Sequence, residues 1–233
     1  MGEPAQERLV RKLDLERFLA SVNPNPSPKA SLEQYTISEQ VAADILYLAA
    51  YANGDVVGKS VLDLGCGTGR LALGAAFLGA KTVLGVDLDR VAVAIAAENA
   101  KSKYLKPLTD WVAGDIDAIE GEFDTVLQNP PFGVQTRGAD RKFLSKALEI
   151  AGSIYSLHNH PETDEHLIRR LESSRGSLLQ VQPSPFIQRF VEEHRGTVSA
   201  VYALLMTIPR MFEFHTKLRH NFVVDLYIIK RNA

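Results

Sequence analysis

A single cysteine, Cys66, stands among the 233 residues. One thiol excludes a disulfide framework and any cysteine-rich zinc site made by this chain alone, and it fits a reducing compartment. Long apolar runs are missing too, since nothing approaches the roughly 18 continuous apolar residues of a membrane span. Positions 1–22 mix Glu3, Glu7, Arg8, Arg11 and Lys12 with apolar residues and contain no secretory-signal core. A soluble, cytoplasmic protein is expected. There is no strong excess of either charge, with 26 Lys and Arg against 28 Asp and Glu and a pI of about 6.3. That balance excludes a uniformly basic nucleic-acid binder and leaves any such contact to local patches. His158, His160, His215 and His220 show no metal-ligand spacing and read as surface or loop positions, so no metal site is expected.

What the chain does contain is 45% hydrophobic residues, enough for a full core at this length. Leu9, Leu13, Phe18 and Leu19 predict an amphipathic helix over 5–21. Three prolines between Asn23 and Pro28 then deny backbone donors and predict an extended surface strap. Ser38 caps a helix reaching Tyr51. From there strands at 60–64, 82–86, 109–113 and 123–127 alternate with helices at 69–78 and 90–102, the rhythm of a parallel sheet covered on both faces. A helix at 140–151 and a strand at 153–157 continue it. Residues 158–185 read as an insertion with a helix near 164–173 and a short strand at 178–182. A helix at 186–194 and strands at 197–207 and 222–229 close the sheet, the last two pairing antiparallel. The expected plan is a helix and linker over 1–31 followed by one α/β domain over 32–233.

Gly65-Cys66-Gly67-Thr68-Gly69 follows an apolar strand ending in Asp63-Leu64. Such a loop brings backbone close to a ligand and aims the next helix's amino terminus at it. Loops of this kind serve NAD, FAD and S-adenosylmethionine (SAM), and alone the loop does not choose among them. Asp87 ends the second strand, where a carboxylate accepts ribose hydroxyls, and Asp115 ends the third, within reach of an adenine amino group. Leu88 and Ile116 follow these acids and border the same crevice. Asp63 orders the loop or meets the cofactor's ammonium. Arg70 stands where Gly-x-Gly-x-x-Gly has its third glycine, which disfavours NAD.

Asn129-Pro130-Pro131-Phe132-Gly133 stands at the end of the fourth strand, beside that crevice. The Asn129 side-chain oxygen and the Pro130 carbonyl can each accept one N–H of a planar amine, turning its lone pair toward a methyl donor without a general base. Two prolines aim the carbonyl in advance, and Phe132 stacks on a flat substrate. The geometry suits adenine, guanine and glutamine amides alike. Downstream, Arg137, Arg141, Lys142 and Lys146 face Asp140 alone. Nearer the end, Arg210, Lys217, Arg219, Lys230 and Arg231 face Glu213 and Asp225, and His215 lies among them. Arg137, Arg141, Lys142, His215, Lys217 and Arg219 are the candidate contacts to RNA phosphates.

Several stretches together resemble the methyltransferase-like family that modifies N6 of one adenosine in small-subunit ribosomal RNA, in its eukaryotic and archaeal branch. They are Leu32-Glu33-Gln34-Tyr35, the loop from Asp63 to Gly69, Asn129 to Gly133, Ala139-Asp140-Arg141-x-Phe143-Leu144, Ile154-Tyr155-Ser156-Leu157-His158, Ile208-Pro209 with Phe214-His215, and Val224-Asp225-Leu226. The resemblance implies a single Rossmann-like class I SAM-dependent methyltransferase domain with a mostly parallel seven-stranded sheet and an antiparallel C-terminal strand. It implies that Gln34 contacts the cofactor and that Asn129 to Phe132 bind the target base. It also implies a small zinc-ribbon activator subunit paired with an exposed sheet edge, which the usual strand order puts at 109–113, with Trp111 as the apolar contact. Three departures stand out. Similar proteins carry threonine where this chain has Ile37, so the hydroxyl contact falls on Thr36 or is lost; Gln128 replaces an apolar residue; and the insertion over 158–185 has no counterpart.

Overall fold

A computed structural model describes residues 9–133, 137–161, 165–173, 178–209 and 219–232. In chain order the elements are α1 (Lys12–Ala20), α2 (Glu39–Tyr47), β1 (Ser60–Leu64), α3 (Arg70–Phe77), β2 (Thr82–Asp87), α4 (Arg90–Ser102), β3 (Thr109–Ala113), β4 (Phe123–Gln128), α5 (Ala139–Ile150), β5 (Ala151–Asn159), α6 (Glu165–Ser173), β6 (Leu179–Gln180), α7 (Pro185–Glu193), β7 (Gly196–Pro209) and β8 (Arg219–Arg231). They form an 8-stranded sheet in the order β3-β2-β1-β4-β5-β8-β7-β6. The first five neighbours run parallel, and β8 is antiparallel to both β5 and β7.

The period-2 alternation of the strands sorts their side chains onto two cores. Val61, Val83, Leu127 and Tyr155 point to one face, where α1, α2 and α3 pack. Leu62, Leu64, Val126 and Ile154 point to the other, with α5 and α7. β2 and β4 diverge from β1, so the crevice of an open α/β sheet lies at the carboxyl ends of these strands. α1 begins only at Lys12 because Arg11 has extended backbone, and the expected start at residue 5 lies outside the described residues. Leu15 and Leu19 are completely buried, and Phe18 stacks on Phe77 of α3 at 4.2 Å. The proline strap then crosses α4, with Asn23 N–H donating to Asn99 Oδ1 at 3.0 Å and Asn99 Nδ2 returning a bond to the Asn23 carbonyl.

Three expectations need correction. The sheet has eight strands, not seven, because Leu179–Gln180 pairs with Ala203 and Tyr202 at the far edge. β5 runs through Asn159, so His158 is buried inside the sheet rather than in a surface loop. His160 lies in the loop just past β5, within the expected surface-or-loop reading, with its Nδ1 2.9 Å from the buried Asp225. β3 is an edge strand as expected, yet Trp111 does not point outward from it. Its ring lies inside, over Gly69 and Gly85, and the apolar surface beside the edge is made by Leu108 and Val112.

Candidate active site

The loop between β1 and α3 is shaped by its glycines and held by two aspartates. Gly67 and Gly69 both have positive φ, +54° and +87°. A Cβ at Gly69 would sit 2.5 Å from the Trp111 ring, whereas one at Gly67 would enter open space. The Gly67 N–H donates to Asp87 Oδ2 and the Asp89 N–H to Asp87 Oδ1, both at 2.8 Å. Asp87 thus joins the loop to the end of β2 and keeps lone pairs for a ligand. Asp63 is buried and accepts the Ala72 N–H at 2.9 Å, satisfying a donor in the first turn of α3. Burial, aided by the nearby Asp87 charge and opposed by the Ala72 N–H, pushes the Asp63 carboxyl up to about 7. Burial also raises Asp87.

Gln34, Thr36, Asp63, Gly65, Gly67, Asp87, Leu88, Asp115, Ile116 and Asn129 all border one cavity of about 310 Å³. Ile37 borders it too, so the threonine displaced by one position and its neighbour both reach the wall. The Gln34 carboxamide is also a brace: its oxygen accepts the Lys29 N–H at 2.7 Å and its nitrogen donates to Asp89 Oδ2 at 3.0 Å. Asp115 accepts from the Asp117 N–H and pairs with Lys142 at 2.7 Å, and these bonds lower its carboxyl. Arg70, read from sequence only as a missing glycine, is a cavity residue. It donates through Nη1 to the Ile37 carbonyl, while its buried Nε has no partner among the described residues.

At the end of β4, Asn129 Nδ2 donates to the Tyr35 carbonyl at 3.1 Å, and its buried Oδ1 has no partner among the described residues. Pro131 borders the cavity; Pro130 is buried behind it. Phe132 lies outside the lining, partly buried, with its ring edge-to-face on Phe222 at 5.9 Å. Gln128 is tolerated in the core because its Nε2 donates to Ser156 Oγ at 2.8 Å, and Ser156 Oγ in turn lies 2.8 Å from His158 Nε2. Burial lowers His158 to about 4, so the imidazole is neutral at pH 7.

The basic residues separate. Arg137 and Arg141, which follow the Asn-Pro-Pro-Phe turn in sequence, are exposed. Lys142 is engaged by Asp115 and Asp117, the latter at 2.9 Å, and therefore holds Asp115 in place rather than standing free for a phosphate. Lys146 is buried beside Glu149. Lys230 pairs with Asp55 at 2.7 Å and Arg231 with Glu122 at 3.2 Å, at the end of the sheet away from the cavity. His215 and Lys217 lie outside the described residues, as does the Arg219 side chain. Among the described residues no helix is long and apolar enough to cross a membrane.

The profile of the ribosomal protein L11 methyltransferase (PrmA) family matches residues 45–129. The chain is 33% identical to the rRNA N(6)-adenosine-methyltransferase METTL5 of Danio rerio, over 91% of this chain and 95% of that protein. A crystal structure of a proposed RNA methyltransferase from Pyrococcus horikoshii superposes with a TM-score of 0.78 at 35% identity, covering 97% and 100% of the two chains. Magnesium protoporphyrin IX methyltransferase from Synechocystis, solved with bound SAH, shares the fold alone, with a TM-score of 0.58 at 17% identity over 83% and 82%. Fold and site are those of a SAM-dependent methyltransferase. The chain belongs to the METTL5-like family of methyltransferases.

The residues present fit SAM. The cavity volume falls within the roughly 300–1,000 Å³ of small-molecule sites. Backbone at Gly67 leaves space that a side chain would fill, and Asp87 and Asp115 reach it from two strand ends.

Proposed function

We propose that this protein transfers a methyl group from SAM to N6 of an adenosine in small-subunit ribosomal RNA, with the Asn-Pro-Pro-Phe turn as the catalytic element. The reading is supported by the relatives' shared length and, in the structure, by one observation above the rest: Asn129 lines the cofactor cavity with a buried side-chain oxygen that has no partner among the described residues. A buried unpaired acceptor costs free energy unless a donor arrives. An exocyclic N–H is such a donor.

Asp87 holds the ribose hydroxyls, Asp115 meets the adenine amino group, and Asp63 faces the ammonium. Arg70, with its unused Nε, suits the carboxylate. The cofactor supplies an electrophilic methyl on a sulfonium. Asn129 Oδ1 and the Pro130 carbonyl accept the two N–H groups of the target amine and draw its nitrogen toward tetrahedral geometry. Phe132 swings from its edge contact with Phe222 to stack on the flipped base. The unpaired outer edge of β3, with exposed Val91, Tyr104, Leu108 and Val112 nearby, is the seat of a zinc-ribbon activator subunit.

The test is incubation with labelled SAM and small ribosomal subunits, with and without a zinc-ribbon partner, followed by digestion and mass spectrometry. N6-methyladenosine supports the reading. Methylated glutamine or N2-methylguanine as the product overturns it.

A further inference from the structure

Phe186 is 58% exposed on the first turn of α7, although its neighbours Ile187 and Val191 bury the opposite face of that helix. It is not bare on both sides. The Arg141 guanidinium lies over the ring, 5.9 Å from its centroid, within cation–π range. Arg141 comes from the first turn of α5, whose Ala139, Lys142 and Phe143 form part of the cofactor cavity wall. Arg141 is thus flanked in sequence by residues of the cavity wall, and the pair sits within one helix turn of them. Arg137, two residues before α5 begins at Ala139, is exposed as well.

Charge indicates what this surface receives. Lys142 is neutralised by Asp115 and Asp117, but among the described residues no carboxylate forms an ion pair with Arg137 or Arg141. An exposed aromatic ring with an adjoining guanidinium, and a second exposed cation four residues earlier in the chain, match the needs of single-stranded nucleic acid: a base to stack and phosphates to neutralise. A protein partner would more commonly bury an apolar cluster, and Phe186 stands as a single exposed ring with charged neighbours.

We propose that Phe186 and Arg141 form a stacking site for an RNA base flanking the target adenosine, with Arg137 on the adjoining phosphate. The proposal rests on the RNA-methyltransferase reading but concerns residues outside the cofactor site and the catalytic turn. It gives α7 a role in holding the strand on either side of the flipped nucleotide.

The experiment measures anisotropy of a fluorescent single-stranded RNA oligonucleotide carrying the methylated site, with the full chain and SAH. Phe186→Ala should weaken RNA binding by roughly tenfold, a typical loss for one base–aromatic contact. Phe186→Trp should restore it and Phe186→Leu should not, while SAM affinity and unfolding temperature stay unchanged. Arg137→Ala should reduce the salt dependence of binding, and Phe186→Ala should leave it alone. RNA affinity of Phe186→Ala within twofold of the unsubstituted protein overturns the proposal, as does full rescue by leucine. An altered oligomeric state with unaltered RNA affinity overturns it in favour of a protein contact. If the unsubstituted protein makes N6-methyladenosine while Phe186→Ala binds RNA normally, only this surface is wrong. If the unsubstituted protein neither binds nor methylates RNA, both readings fall.

Discussion

Asn129 and Tyr35, on segments far apart in the chain, are joined by one hydrogen bond, from Asn129 Nδ2 to the Tyr35 main-chain carbonyl at 3.1 Å. The bond decides which end of the carboxamide is left over. With the nitrogen occupied, the oxygen is the atom available for a substrate, and it is already oriented before one binds. It also ties the segment before α2 to the end of β4, so the two walls of the cavity are positioned together.

Asp87→Ala should weaken SAM binding by about tenfold or more, since bonds to a charged group contribute roughly 1.5–3 kcal/mol. The variant loses the proposed ribose contacts and also the anchor of the Gly67 N–H. Isothermal titration of SAM checks this, and an unchanged dissociation constant contradicts the assignment.

The Asp63 carboxyl, raised to about 7, binds a proton in the folded chain that the unfolded chain has already released above its ordinary value of 3.8. The folded state therefore holds the extra proton between these two values, and the stability of the free protein falls as pH rises through that window. A ligand ammonium beside Asp63 favours the ionised form. SAM affinity should accordingly tighten between pH 6 and 8 by up to about tenfold per unit below the carboxyl's pKa. Asp63→Asn should remove that slope. Titrations at three pH values decide the matter, and an identical slope in the variant contradicts it.

Gly85→Ala should destabilise the fold by about 1–3 kcal/mol, the range of overpacking. A Cβ there would come within 2.4 Å of the Trp111 ring, which is wedged between β2 and the loop. Denaturant unfolding measures the loss. A variant as stable as the unsubstituted chain would show that Trp111 does not occupy this slot.

Much of the fold was legible because the strands advertise themselves: 60–64 and 109–113 are short, mostly apolar or β-branched segments each followed by a glycine, and the observed strands have those bounds. The cavity was legible from strand ends, because parallel topology sends Gly65, Asp87 and Asp115 to one edge. Other features were not, because they depend on partners distant in sequence. Nothing local says that Trp111 turns inward; that follows from the absence of side chains at Gly69 and Gly85. His158 looked like a loop residue because the Asn159-His160-Pro161 run signals a turn, yet β8 extends the pairing through Asn159. Lys142 looked free until Asp115 and Asp117 were brought to it. Arg70 could have been noticed as a charged residue beside a ligand loop.

In the proposed mechanism the Asn129 side-chain oxygen accepts an N–H of the target amine. Single-turnover methylation of the small-subunit RNA, paired with SAM titration, tests it in Asn129→Ala. Transfer should fall by about 100-fold or more, the scale seen on removing one preorganised hydrogen-bonding group from an active site, with SAM affinity within about threefold of the unsubstituted protein. Methyl transfer at an unreduced rate, with the cofactor bound equally well, would contradict it.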